Sequence, residues 1–212
     1  MPEGMQGATG EVRPRAGDWM ITVSGRRFWP LDPRPADVYL PDIAHALAHT
    51  CRYGGHARKF YSVAEHSVLL AELFIARGDI ALATWALLHD AAEAYFGDVI
   101  RPVKREIPQY APIEDAIARA IWTRCGLIGA DDAAVDLPDE VKHADGAILG
   151  DEAEALFGAG ALGAAGWTPP APLGVKVEGW APMDARDAWR ATLKHCAPAL
   201  YGQFWRTREA VA

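Results

Sequence analysis

The sequence predicts an all-α protein that folds as a single domain, with a short hairpin or extended segment near its N-terminus. The 212 residues match the length of one domain. Half of them are apolar, which is enough for a sizeable buried core. These apolar residues recur mainly at helical spacing, between residues that typically begin or end helices.

The N-terminal part is predicted to contain little helix. Residues 1–17 combine Gly, Pro and charged residues without periodicity, and they predict a disordered tail. Two β-prone runs on either side of Ser24-Gly25 predict a small hairpin. Turns punctuated by prolines then lead to a first helix at about Pro41–Thr50, with Asp42 as its cap.

Two further helices are predicted before residue 100. Ser62 is followed three residues later by Glu65, a capping-box signature that predicts the start of a helix there. This helix is expected to stop at Gly78. Asp79 is expected to cap a third helix, which would run to about Gly97.

The next part of the chain predicts two long helices after a connector. Pro102 resists helix continuation, so the residues around it are predicted to connect the third and fourth helices. The fourth helix is predicted from about Pro108 to Cys125 and is closed by Gly126. The fifth is predicted from about Pro138 to Phe157.

A Gly/Ala/Pro-rich segment at residues 158–183 has low helical order, and we interpret it as a mobile flap or an insertion. After it, Asp184 is predicted to start a last helix that includes Leu200. This segment and the last helix both belong to the one predicted domain, which covers residues 18–212.

Composition limits the function and the compartment. A net charge of −7 argues against a general nucleic-acid binder, although it allows a local basic pocket for a small anion. The three cysteines are widely spaced and form no CxxC motif, which indicates a reducing compartment. We find no signal peptide and no apolar run near ~20 residues, the length of a membrane span. We therefore predict a soluble cytoplasmic protein with no membrane or nucleic-acid partner.

The main functional signal is the dipeptide His89-Asp90, which follows an apolar helical stretch. Burying a carboxylate beside an imidazole is costly unless a charged group pairs with them, and a divalent cation does so. His66 upstream and Asp145 downstream complete a set of two imidazoles and two carboxylates. Such a mixed set suits a hydrolytic divalent metal, here Zn, Co or Mn.

The spacing His…His-Asp…Asp resembles that of the HD-domain metal-dependent phosphohydrolases. The run HDAAEAYFGDVIRPVK, which begins at His89, has the elements HD-x-x-E-x-x-x-x-D and P-x-K. Similar runs occur in the bacterial HD 5′-deoxynucleotidases and the phage-type HD deoxyadenosine triphosphohydrolases. The resemblance covers about residues 43–150, and it implies an HD-type helical bundle that forms a homodimer or a larger homo-oligomer.

The same resemblance implies roles for residues around the metal. Glu93 would orient or deprotonate the attacking water, and Asp98 would support the leaving group or help to bind a second metal, Mg or Mn. An Arg-aromatic pair would contact the nucleotide and two lysines its phosphates. The implied substrate-binding residues are Arg52, Tyr53, Pro102, Lys104 and Lys142. The tryptophans at 167, 180, 189 and 205 are interpreted as core or interface residues.

The implied reaction is hydrolysis of 2′-deoxynucleoside 5′-phosphates, mono- or triphosphates, to the nucleoside and phosphate or oligophosphate. The presence of both Lys104 and Lys142 favours di- and triphosphates as additional substrates. One alternative is a catalytically silent nucleotide-binding or regulatory module. A cyclic-nucleotide phosphodiesterase or a di-iron oxygenase would need additional histidines between His89 and Asp145, where only His143 is present.

Overall fold

The structure, a computed structural model, describes residues 14–132 and 136–205. It is mostly helical in these ranges, which confirms the all-α prediction. In chain order the helices are α1 (Leu40–His49), α2 (Val63–Ala76), α3 (Ile80–Leu88), α4 (Arg101–Lys104), α5 (Tyr110–Cys125), α6 (Asp139–Phe157), α7 (Ala159–Ala164), α8 (Pro182–Cys196) and α9 (Pro198–Phe204). Within the described ranges, none of them is both long and apolar enough to cross a membrane.

The predicted hairpin is present. Strands β1 (Met20–Ile21) and β2 (Arg27–Phe28) pair antiparallel across a turn that contains Gly25 at φ +80°. Asp42 was expected to cap α1, and this prediction is wrong. Its carboxylate accepts hydrogen bonds from the hydroxyls of Thr22 and Ser24, at 2.6 and 2.7 Å, and so fixes the hairpin turn on α1.

Most of the predicted disordered tail, residues 1–13, lies outside the described residues. The structure describes the last four residues of this predicted tail, 14–17, and among them Arg15 is bound to the domain. The guanidinium donates to the carbonyl of Asp32 at 2.9 Å and to the carboxylate of Asp37 at 2.7 Å. It also lies over the ring of Trp29.

Helix α2 occupies the centre of the core and packs against α3 and α8. As predicted, Ser62 caps it by accepting a hydrogen bond from the Glu65 amide at 3.1 Å. Residues 63–71 are all buried, so the helix is enclosed on every side of its first two turns. An enclosed helix carries few charges unless each has a partner. The buried His66 on this helix therefore requires a specific set of contacts.

Helix α3 is shorter than predicted. It ends at Leu88, and the chain leaves helical geometry at Asp90 (φ −95°, ψ 14°) before one 3₁₀ turn at Ala91–Ala94. His89, Asp90 and Glu93 therefore do not share one α-helical face. The connector predicted at 98–102 is confirmed over residues 98–100, which contain neither helix nor strand. Its last two residues instead begin α4, where the missing N–H of Pro102 is harmless.

The two long helices α5 and α6 begin within two residues of their predicted starts. Gly126 ends α5 in the left-handed conformation at φ +72°, as a glycine cap does. The prediction of one continuous last helix is wrong. Pro198 starts a separate helix, α9, which contains Leu200.

Residues 165–181, here called the strap, contain neither helix nor strand. Two buried carboxylates hold the strap against the helices. Asp151 of α6 accepts from the backbone amides of residues 173–175, at 2.6 to 2.9 Å. Glu65 of α2 accepts from those of residues 178–180, at 2.7 to 2.9 Å. These bonds replace the partners that regular secondary structure would supply.

Candidate metal centre

Three of the predicted metal ligands converge in the core. The Nε2 atoms of His66 on α2 and of His89 after α3 lie 3.2 Å apart. Asp145 Oδ1, on α6, lies 3.1 Å from His66 Nε2 and 3.7 Å from His89 Nε2. One ligand atom from each residue falls within 4.8 Å of the others, close enough for all three to hold one ion.

The contact that Nδ1 makes determines which tautomer each ring adopts. His66 Nδ1 lies 2.6 Å from Glu152 Oε1, and His89 Nδ1 lies 2.7 Å from the carbonyl oxygen of Ala86. Carboxylate and carbonyl oxygens only accept, so each Nδ1 must donate. In the neutral rings both Nε2 atoms then present lone pairs to each other, which requires a cation or a proton between them.

The electrostatics of the cluster favour positive charge at the same place. Burial by itself lowers the pKa of His89, but the carboxylates of Asp90 and Asp145 outweigh it and raise that pKa well above its ordinary value. A metal ion supplies this positive charge without protonating the rings. Since the ion must displace protons, its affinity depends on pH.

Asp90, the fourth predicted ligand, lies within reach of the centre, but its carboxylate also binds Arg52. Its Oδ2 lies 3.1 Å from His89 Nε2 and 3.7 Å from His66 Nε2. The same oxygen accepts a hydrogen bond from Arg52 Nη1 at 3.1 Å. Burial alone raises the pKa of Asp90, but His89 and Arg52 together bring it below the usual range.

Glu152, which sequence reasoning missed, orients His66. It is fully buried on α6, and besides His66 Nδ1 it accepts from the hydroxyls of Tyr53 and of Tyr61, the latter at 2.9 Å. Burial disfavours its charge, but Arg52 and His66 prevail and lower the pKa of Glu152 to about 2. A carboxylate that fixes the tautomer of a ligand histidine is the usual outer support of a metal site.

The Arg52-Tyr53 pair lies beside this support. Tyr53 has φ +58° and ψ 25°, a left-handed conformation that few non-glycine residues adopt. Its hydroxyl is engaged by Glu152. The Nε of Arg52 is buried and has no hydrogen-bond partner among the described residues.

A cleft of about 330 Å³ adjoins the centre. Eight of the predicted site residues line it: Arg52, Tyr53, Asp90, Glu93, Asp98, Pro102, Lys104 and Asp145. Five residues that were not predicted line it as well: Val99, Ile100, Arg101, Leu149 and Trp167. The cleft thus combines acidic, basic and apolar surface next to the candidate ligands.

Glu93 lies in this cleft with no fixed partner. It is 4% exposed, and its Oε2 has no hydrogen-bond partner in the described part of the chain. Burial raises its pKa to about 10, and the nearby carboxylates of Asp90 and Asp98 contribute. An unpaired carboxyl group of high pKa in a cleft is characteristic of proton-transfer groups.

The two predicted phosphate-binding lysines differ in position. Lys104 lines the cleft, where it donates to Glu114 at 2.9 Å and lies over the ring of Tyr110. Lys142 does not line it, so the structure does not support its predicted contact. Its ammonium is exposed and turns to Asp139, one turn earlier on α6, at 3.4 Å.

We expect Glu152→Gln to weaken divalent-metal binding by roughly ten- to a hundredfold, the usual effect of losing such an outer carboxylate. Glutamine keeps the shape but no longer supplies the charge that fixes His66. Calorimetric titration of the metal-free protein with Mn²⁺ or Co²⁺ measures the change. Glu154→Gln, exposed on the same helix, is the matched control. Equal affinities in both variants would exclude this role for Glu152.

Fold and site together describe a helical protein with a His/Asp cluster suited to a cation at one end of a charged cleft. An uncharacterized protein of Rhodobacter capsulatus is 41% identical over 132 residues, covering 59% of this chain and 64% of that protein. The uncharacterized protein YfdR of Escherichia coli K12 is 37% identical over 131 residues, covering 62% and 68% respectively. The chain belongs to the family of YfdR. It spans less than two thirds of the Rhodobacter relative, and no family model matches it.

Proposed function

We propose that this protein is a divalent-metal-dependent phosphohydrolase of the HD type that acts on 2′-deoxynucleoside 5′-phosphates. The observation that carries the proposal is the pair of imidazole Nε2 atoms 3.2 Å apart, oriented through their Nδ1 atoms and flanked by carboxylates. The adjoining cleft supports a small anionic substrate. The choice of deoxynucleotides follows the motif resemblance.

The donor set fits a catalytic cation. His66, His89 and Asp145 would hold it, with Asp90 as the fourth ligand. When bound, a divalent cation supplies Lewis-acid activation of water and neutralises charge on a phosphate. Imidazole and carboxylate ligands accept several first-row ions, among which Zn, Co and Mn are the candidates.

The remaining charged residues of the cleft divide the other tasks. The side chains of Arg52, Arg101 and Lys104, which line the cleft, bind phosphate oxygens through charge-assisted hydrogen bonds. The positive charge of a bound cation would favour the ionised form of Glu93, which would then orient the attacking water and accept its proton. Asp98 lines the same cleft and supports the leaving-group side or a second ion.

Metal content and phosphate release, measured on the same preparation, test the proposal. Ribo- and deoxynucleoside mono-, di- and triphosphates are offered with Mn²⁺, Co²⁺, Zn²⁺ or Mg²⁺. We expect stoichiometric metal and metal-dependent phosphate or oligophosphate release, faster with deoxynucleotides. A protein that binds metal and nucleotide without hydrolysis would be the regulatory module instead. A protein that binds no divalent metal would contradict the centre itself.

The positions of the two lysines lead to a specific prediction. We expect Lys104→Met to lower kcat/KM by roughly ten- to a hundredfold, because one charge-assisted bond contributes ~1.5–3 kcal/mol. Lys142→Met is the control, and we expect a change of less than about twofold, as for an exposed ion pair. Both variants are assayed on a deoxynucleoside mono- and triphosphate. A loss of more than about twofold in Lys142→Met would mean that Lys142 contacts the substrate.

A further inference from the structure

Trp167 lines the same cleft as the candidate metal centre. Its side chain is 41% exposed, which excludes the core position but not the interface position, the two alternatives expected for it. Leu149 of α6 and Ile100, just before α4, line the cleft with it, and Ile100 is 45% exposed. Three separate parts of the chain therefore contribute apolar surface to a cleft whose other residues are mostly charged.

The strap packs closely against α6 just after Trp167. A Cβ atom on Gly150 would lie 2.3 Å from the carbonyl oxygen of Pro170, so only glycine allows the strap to approach this helix so closely. The next residue, Asp151, binds the backbone amides of residues 173–175. Three consecutive residues of α6 thus have different roles. Leu149 lines the cleft, Gly150 leaves space for the strap, and Asp151 anchors it. These contacts anchor the strap a few residues after Trp167.

We propose that Trp167, with Leu149 and Ile100, forms a base-binding subsite in which the indole stacks on the heterocycle of the substrate. This inference rests on the proposed function and extends it from the phosphate to the base. A nucleotide joins a charged phosphate to a flat, weakly polar ring, and the cleft offers both kinds of surface. Its volume of about 330 Å³ is typical of small-molecule sites. Stacking is possible with any base, so the subsite selects for a base without selecting which one.

The test compares a deoxynucleoside 5′-monophosphate with 2-deoxyribose 5-phosphate, which has the same phosphate ester and no base. We expect Trp167→Ala to lower kcat/KM for the nucleotide by roughly five- to a hundredfold, the range of a lost base stack, and to leave the base-free ester nearly unchanged. Trp167→Phe should restore most of the loss. Trp19→Ala is the matched control, since Trp19 is 42% exposed and does not line the cleft.

Other outcomes would overturn the subsite. Equal losses on both substrates would mean that Trp167 only supports the cleft. A changed oligomeric state in Trp167→Ala, seen by size-exclusion chromatography, would make Trp167 an interface residue. Calorimetric binding of 2′-deoxyadenosine separates the subsite from the proposed hydrolysis, because it needs no phosphate. If wild type hydrolyses nothing but binds this nucleoside through Trp167, the reaction fails and the subsite stands. If it does not bind the nucleoside and shows no preference for nucleotides over the base-free ester, the subsite fails.

Discussion

Replacement of His66 by alanine is expected to abolish metal binding and hydrolysis together. The change removes one imidazole from the centre and leaves the buried Glu152 carboxylate without the ring that it orients. A ligand that binds only the folded state stabilises it, by about 2.7 kcal/mol at a hundred times its dissociation constant. The variant should lose this metal-dependent stabilisation. Metal analysis, thermal unfolding with and without Mn²⁺, and phosphate release measure the three effects.

Because His66→Ala also disturbs the core, Asp145→Asn is the companion variant. Asp145 is partly exposed, and asparagine keeps its shape while removing its charge. His143→Ala is the matched control, since His143 is an exposed histidine two residues earlier on α6. We expect the control to bind metal and turn over as wild type does. Full turnover by metal-free His66→Ala would contradict the site assignment, and loss of metal in His143→Ala would indicate a different ligand set.

Several helix ends were predictable from local start or stop signals. Ser62 and Gly126 show this, since their capping roles depend only on neighbouring residues. The end of α3 was not predictable, because no breaker stands between Leu88 and Gly97 and the alanines there favour helix. A contact of Asp90 with the preceding His89 and a tertiary contact with the distant Arg52 accompany the departure from helical geometry.

The candidate site was likewise only partly predictable from the sequence. His66, His89 and Asp145 were predictable as a group from residue type and from the resemblance of their spacing to the HD-domain pattern, and the structure brings them together. Glu152 was not, because a glutamate on a helix usually faces solvent. Its burial depends on tyrosines about a hundred positions earlier in the chain, as the contact to Tyr53 shows. Its only sequence signal was its position seven residues after Asp145, two turns along the same face.

Trp167 and Lys142 show why substrate contacts are the least predictable part. Trp167 lines the cleft from the strap, whose contacts with α6 are a long-range arrangement without a sequence pattern of its own. Lys142 has the spacing to share a face with Asp145, but Asp139 offers its ammonium a nearer partner. Long side chains choose among several partners, and the spacing of their Cα atoms does not determine that choice.

Glu93→Gln is expected to keep the metal and lower kcat by roughly 10²–10⁴-fold, the usual contribution of a positioned acid–base group. Glutamine can still accept a hydrogen bond from water, but it cannot take a proton. The loss should therefore appear in kcat with little change in metal affinity. Glu106→Gln, exposed between α4 and α5, is the control. Wild-type turnover by a metal-loaded Glu93→Gln protein would assign proton transfer to another group.

The same substitution should stabilise the metal-free protein, and the sign follows from the pKa of Glu93. Burial raises this pKa from 4.5 in the unfolded chain to about 10 in the folded protein. Between these values the unfolded state gives up a proton that the folded state keeps, so stability falls as pH rises through this window. Glutamine has no proton to lose. The free energy of unfolding of Glu93→Gln should therefore exceed that of wild type by a margin that grows from pH 5 to pH 8, measured by urea denaturation in the presence of a chelator. A margin independent of pH would mean that Glu93 is already ionised in the folded protein, as a solvated carboxylate is.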